Sequence, residues 1–255
     1  MTKGWYGKRQ QHSMASKGIK SKMKSMGYAY DENVVELAEN KIYRLKIIND
    51  PNPQSPREWD NFGHMVCWHN RYSLGDEQPR DSAQEWMDEL KEQYGNKVEI
   101  LPLYLYDHSG ITMNTSGFSH MGMHGYFDSG QVGWIYVTHD EIKKEFGKVT
   151  KETKQHALRI LSSEVDIYDD YIRGNVYGFA LEKKKQCKSC EHDEWELIDS
   201  VYGFYGDYRD NKSGMRDNIP KEGIKLFDKM VGWIKWQKQK DGMVKNTDTA
   251  QQERE

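Results

Sequence analysis

The sequence predicts an α+β protein: a mixed or antiparallel central sheet flanked by helices, with a basic N-terminal arm. Three observations predict it. Several segments open on helix-capping boxes, continue as apolar stripes of four-residue spacing and close on glycine. Two others, Val98–Tyr106 and Val132–Val137, are apolar on both faces, as central strands are when both sides are covered. Strand and helix segments mix irregularly, without a βαβ alternation.

In chain order, residues 1–30 read as an arm in which Trp5, Tyr6, Met14 and Ile19 interrupt the positive charges. Residues 40–49 alternate as a strand, with Ile42, Arg44, Lys46 and Ile48 on one face and Tyr43, Leu45 and Ile47 on the other. Pro51, Pro53 and Pro56 then enforce a loop. His64–His69 reads as a short buried strand. Ser82-x-x-Glu85 opens a helix in which Trp86, Leu90 and Tyr94 recur, and Gly95 stops it.

Residues 107–131 read as one long loop between the two central strands, a length that suggests function. Thr138-x-x-Glu141 opens a short helix closed by Gly147. The longest helix runs from Thr150 to Arg173 on the stripe Ala157, Leu161, Val165, Tyr168 and Ile172, and Gly174 ends it. Asn175–Leu181 and Glu194–Phe204 form a hairpin joined by a charged link. A last helix follows Ile219-Pro220, with Ile224, Phe227, Met230, Val231 and Ile234 inward. The organisation expected is an arm over 1–30, a single α+β domain over 31–242 and a flexible polar tail over 243–255.

Charge is unevenly distributed. The arm holds Lys3, Lys8, Arg9, Lys17, Lys20, Lys22 and Lys24 and no acid, a charge of +7, which leaves −10 on the rest of the chain. Such an arm suits a polyanion, with lysines on phosphates and Trp5 and Tyr6 stacked on bases. It also suits the acidic body of its own or a neighbouring chain. No apolar run approaches the ~18 residues of a membrane helix, and Met1 is followed by a polar basic stretch. The expectation is a cytoplasmic protein without membrane contact.

Cys67 lies in an apolar run and reads as a core thiol. Cys187-x-x-Cys190-x-His192 offers three zinc-competent side chains where a structural site wants four, so an exposed hairpin tip is the competing reading. The densest polar cluster borders the central strands. Asp107, His108 and Ser109 follow the first, and Asp128, Ser129 and Gln131 precede the second. Antiparallel neighbours would bring both groups to one end of the sheet, where Asp60, His64 and His69 are candidates to join them. A carboxylate beside an imidazole orients a general base, and a hydroxyl supplies a nucleophile. Two carboxylates and two imidazoles also suit a divalent metal. Asp107, Ser109 and Asp128 equally suit tight turns, since their side chains satisfy backbone groups there.

Several motifs form a set: Trp5-Tyr6-Gly7, Lys17-Gly18-Ile19-Lys20, Ser55-Pro56-Arg57-Glu58-Trp59-Asp60-Asn61, Tyr106-Asp107-His108-Ser109-Gly110-Ile111-Thr112, Asp128-Ser129-Gly130-Gln131-Val132-Gly133-Trp134-Ile135-Tyr136-Val137 and Tyr202-Gly203-Phe204-Tyr205-Gly206. Over residues 1 to about 207 the set resembles a family of uncharacterised proteins encoded by phages and other mobile elements. The chain departs from that pattern at 119–127, where a short link is expected. The resemblance implies action in a host cell's cytoplasm, in genome handling, takeover or counter-defence, and it implies no reaction.

Three function classes follow. One is a non-enzymatic accessory protein binding nucleic acid or a nucleoprotein complex through the arm. The second is a hydrolase of nucleotides or phosphodiesters using Asp107, His108, Asp128 and Ser129, with or without a metal. The third is a counter-defence protein that binds a host protein through its acidic body.

Overall fold

The computed structural model describes residues 33–108, 110–119, 128–186 and 193–232. The arm with Lys3 through Lys24, Ser109, the CxxC with Cys187, Cys190 and His192, Ile234 and the tail lie outside them. In chain order the elements are β1 (Val34–Glu39), β2 (Tyr43–Asn49), β3 (His64–Cys67), α1 (Ala83–Tyr94), β4 (Val98–Asp107), β5 (Ile111–Asn114), β6 (Ser129–Thr138), α2 (His139–Phe146), α3 (Lys151–Arg173), β7 (Val176–Gln186), β8 (Asp193–Tyr205), α4 (Met215–Asn218) and a helix over 221–232, α5. The fold is α+β, built on two four-stranded antiparallel sheets ordered β1-β2-β7-β8 and β3-β6-β4-β5. The chain divides into two compact units, Asn52–Val176 and the segments either side of it, where sequence analysis treats 31–242 as one domain.

The flanking segments form the first unit. β2 pairs with β7 so that Leu45 faces Leu181 and Ile47 faces Phe179 in register, and all four are fully buried. Met215, Ile219, Leu226 and Phe227, from α4, its C-terminal boundary and α5, complete this core. The opposite face of β2 is mixed, with Arg44 and Lys46 between the exposed Ile42 and the buried Ile48. Arg44 and Lys46 both pair with Glu182, and the Arg44 guanidinium lies 4.4 Å over the Trp195 ring. β1 extends the sheet and was not expected. Its side chains are all half-buried, so its pattern carries no alternation to read.

The second unit packs α3 on the sheet β3-β6-β4-β5. Ala157, Leu161, Val165 and Tyr168 of the expected stripe are buried against Leu103, Leu105, Met113, Ile135 and Val137. Both predicted central strands are central, and β4 pairs with β6 along its length. Their register slips at Leu103/Tyr104, directly after Pro102, whose nitrogen has no proton to donate. The capping boxes of α1 and α2 form with both reciprocal hydrogen bonds, and Thr150 with Thr153 does the same for α3. Gly147 and Gly174 end their helices in the left-handed conformation that favours glycine. The expected loop 107–131 contains β5, a strand of four residues whose length is below what periodicity resolves.

The motif around Arg57 builds structure. Ser55 caps a 3-10 turn over Pro56–Glu58, and the Asn61 amide donates to the Pro56 and Trp59 carbonyls. Arg57, with a side chain only 4% exposed, reaches Asp76 through Nε and Nη2, both at 2.7 Å, and Glu164 through Nη1 at 3.1 Å. Glu164 on α3 accepts in turn from the Phe62 N–H, and Asp76 from the Met65 N–H. One guanidinium thus ties the loop before β3 to the loop after it and to α3.

Candidate functional site

β4 and β6 run antiparallel, so the end of one meets the start of the other. The Asp107 N–H donates to the Asp128 carbonyl at 2.9 Å, and Ser129 opens β6 opposite Tyr106. His108, outside the strand, turns back through its N–H to the Gly110 carbonyl at 3.1 Å. Its Nδ1 stands 3.3 Å from the Asp128 carboxylate, with the imidazole 60% exposed. Convergence of Asp107, His108, Asp128 and Ser129 at one sheet end is therefore present.

β3 lies beside β6 with its C-terminal end toward the same site, which brings in the residues that follow it. Arg71 pairs with one oxygen of Asp107, and the Tyr72 hydroxyl donates to the other at 3.4 Å. Neither residue is a sequence candidate. The Asp107 carboxylate is thus engaged in holding the 69–72 loop. His69 is part of that loop. Its Nδ1 accepts the N–H groups of Arg71 and Tyr72 at 3.3 and 3.2 Å, and its ring stacks on Tyr72 at 4.9 Å. Burial pushes the His69 pKa below its ordinary value, against the pull of Asp107 and with the push of Arg71. A neutral ring with Nδ1 committed as acceptor shapes the turn and is not a base.

His64 does not join the cluster, contrary to expectation. It pairs across the sheet with Tyr136, seven residues along β6 from Ser129, and its Nε2 meets Glu141 of α2 at 2.6 Å. At ~3.3 Å per residue that separation is over 20 Å. Asp60 is an exposed loop residue beyond the Arg57 turn. Cys67 is fully buried, and burial pushes its thiol up to about 12, so it is a core residue and no nucleophile. Among the described residues no group of three or more His, Cys, Asp or Glu side chains is placed to hold a metal ion.

What remains with catalytic geometry is the His108–Asp128 dyad. A proton on Nδ1 shared with Asp128 leaves Nε2 as the acceptor, the arrangement of a general base. The Asp107–Arg71 pair beside it fixes the loop. The signal that would have found Arg71 and Tyr72 is the pairing of β3 with β6, which no local pattern encodes. Comparison with family models, with curated proteins and with solved structures gives no match. No helix among the described residues is long and apolar enough to cross a membrane.

Proposed function

We propose that the protein is a non-enzymatic accessory protein of a phage or other mobile element, binding nucleic acid or a nucleoprotein complex through residues 1–30 in the host cytoplasm. The observation that carries this reading is the partition of charge, +7 on the arm against −10 on the remainder. The ion pairs support it. Arg44, Arg57, Arg71, Arg173, Arg209 and Arg216 each sit against a carboxylate of their own unit. Guanidinium groups already matched this way offer little to phosphates, and the other basic groups of the body, Arg80 and Arg159 among them, stand on a segment of net charge −10, whereas the arm holds no acid. The motif resemblance supports the setting.

The reading is tested by salt dependence. Replacing Lys17, Lys20, Lys22 and Lys24 with serine removes up to four phosphate contacts. The slope of log K against log salt for duplex DNA is then expected to shrink by roughly 3 to 4, at about 0.9 per contact. An unchanged slope would place the contacts elsewhere.

The His108–Asp128 contact favours a second reading, a hydrolase of nucleotides or phosphodiesters. Both side chains are partly solvent-exposed, His108 at 60% and Asp128 at 31%, so His108→Ala and Asp128→Asn are expected to leave the Tm within about a degree or two of the parent. Under the primary reading both variants keep full DNA affinity. Phosphodiester turnover by the parent that both variants lose, at unchanged Tm, would establish the enzyme instead.

A further inference from the structure

The charge of −10 outside the arm is unevenly divided. The second unit, Asn52–Val176, holds twelve basic and twenty acidic residues, a charge of −8. The first unit without the arm holds eighteen and twenty, a charge of −2. Repulsion of a polyanion therefore falls mainly on the second unit.

Within the first unit, α5 gathers cations on one face. Lys221, Lys225 and Lys229 recur every four residues, so they form a stripe about 12 Å long. Gly223, Leu226 and Phe227 on the opposite face are buried. All three lysines are exposed, and none makes an ion pair with a described residue. Of the two acids on α5, Asp228 is held by Arg216 through bonds of 2.8 and 3.0 Å, which cancels its charge. Glu222 alone remains beside the stripe. Lysines four apart on a helix repel each other, and α5 carries two such pairs with no carboxylate bound to them. Folding gains nothing from that spacing.

A ligand that offsets the repulsion brings negative charges in a row. A DNA strand presents a phosphate about every 3.4 Å of axis, so the stripe spans about three to four of them. The stripe has no Arg, Asn or Gln to address base edges and no ring to stack on unpaired bases. It suits the backbone of a duplex, whose bases are already stacked, and contacts of that kind carry no sequence information.

We propose that the exposed face of α5 is a second nucleic-acid contact, in which Lys221, Lys225 and Lys229 take phosphates of duplex DNA without reading its sequence. This rests on the polyanion reading above and adds to the arm a surface on the folded part of the first unit. The arm, with seven cations, keeps the larger share.

The test is fluorescence anisotropy of labelled duplex DNA over a range of salt, with the full chain and two triple variants. One combines Lys221→Gln, Lys225→Gln and Lys229→Gln. The other combines Lys143→Gln, Lys144→Gln and Lys148→Gln, three exposed lysines of the second unit, and changes net charge equally. Glutamine suits a helix about as well as lysine, and relief of the two repulsive pairs is expected to keep the Tm of the α5 variant at or above the parent's. The α5 variant is expected to lower the slope of log K against log salt by about 2 to 3, at roughly 0.9 per contact, and equally for duplexes of different sequence. The second-unit variant is expected to match the parent. An α5 variant that keeps the parent's slope, while the arm variant loses part of it, would overturn the α5 contact and leave the arm reading standing. Equal losses in both triple variants would reduce the effect to net charge and overturn it too. A loss that varies with sequence would overturn a contact to the backbone alone. A parent that binds no DNA would remove the arm reading and this contact together.

Discussion

Replacing Arg57 with alanine is expected to destabilise the second unit by about 3–5 kcal/mol, the cost of breaking a buried ion network by removing one partner. Burial alone would lower the pKa of this guanidinium. Hydrogen bonds and charge from Asp76 and then Glu164 outweigh that and hold it above its ordinary value. Without the cation, Asp76 and Glu164 face each other's charge with side chains only 28% and 14% exposed. The Gly63 carbonyl loses its 2.6 Å donor as well. Arg57→Lys should recover little, because an ammonium cannot bridge Asp76 by two parallel bonds while reaching Glu164. The readout is urea denaturation followed by near-UV circular dichroism. Its reporter is the indole cluster in which Trp86 stacks on Trp134 at 5.7 Å with Trp68 edge-on to both. A loss below about 1 kcal/mol would mean that the network is solvated and dispensable.

Gly133→Ala is expected to cost about 3 kcal/mol or more, at the upper end of overpacking effects. Gly133 sits in β6 opposite Cys67, and a Cβ there would fall 2.0 Å from the Val66 carbonyl oxygen and 2.9 Å from the Cys67 Cα. Both neighbours are backbone, so no rotamer change relieves the clash, and β3 must move off β6. The 69–72 loop follows β3, so the Arg71–Asp107 pair is expected to loosen with it. Gly130→Ala is the internal control. It lies in the same strand with open space around the new methyl group, and its effect should stay within about 0.5 kcal/mol. Equal effects at the two positions would show that glycine is needed in β6 for reasons other than the approach of β3.

Both predictions come from the motifs that carry the family resemblance, and both concern architecture. Arg57 and Gly133 hold loops and strands in place, and the Tyr106–Thr112 stretch turns β4 into β5. Helices were readable in the sequence because their signals are local: Ser82 with Glu85, Thr138 with Glu141, and a glycine after each last turn. The central strands were readable because both faces of each are apolar. The meeting of Asp107 with Asp128 followed from those two strands alone. Arg71 and Tyr72 were not readable, because their position depends on which strand β3 joins, and that pairing is fixed by long-range packing. β1 and β5 escaped for want of alternation or length. His64 was misplaced because a short strand shows its register only when paired.

The central claim is that the arm binds nucleic acid. The most direct measurement is fluorescence anisotropy of labelled single- and double-stranded DNA, at low and moderate salt, with the full chain and with a chain lacking residues 1–30. The expected result is binding by the full chain that weakens steeply with salt and disappears with the arm. Equal binding by both chains, or binding by neither, would contradict the account, the first by placing the contact surface on the body and the second by removing nucleic acid as the partner.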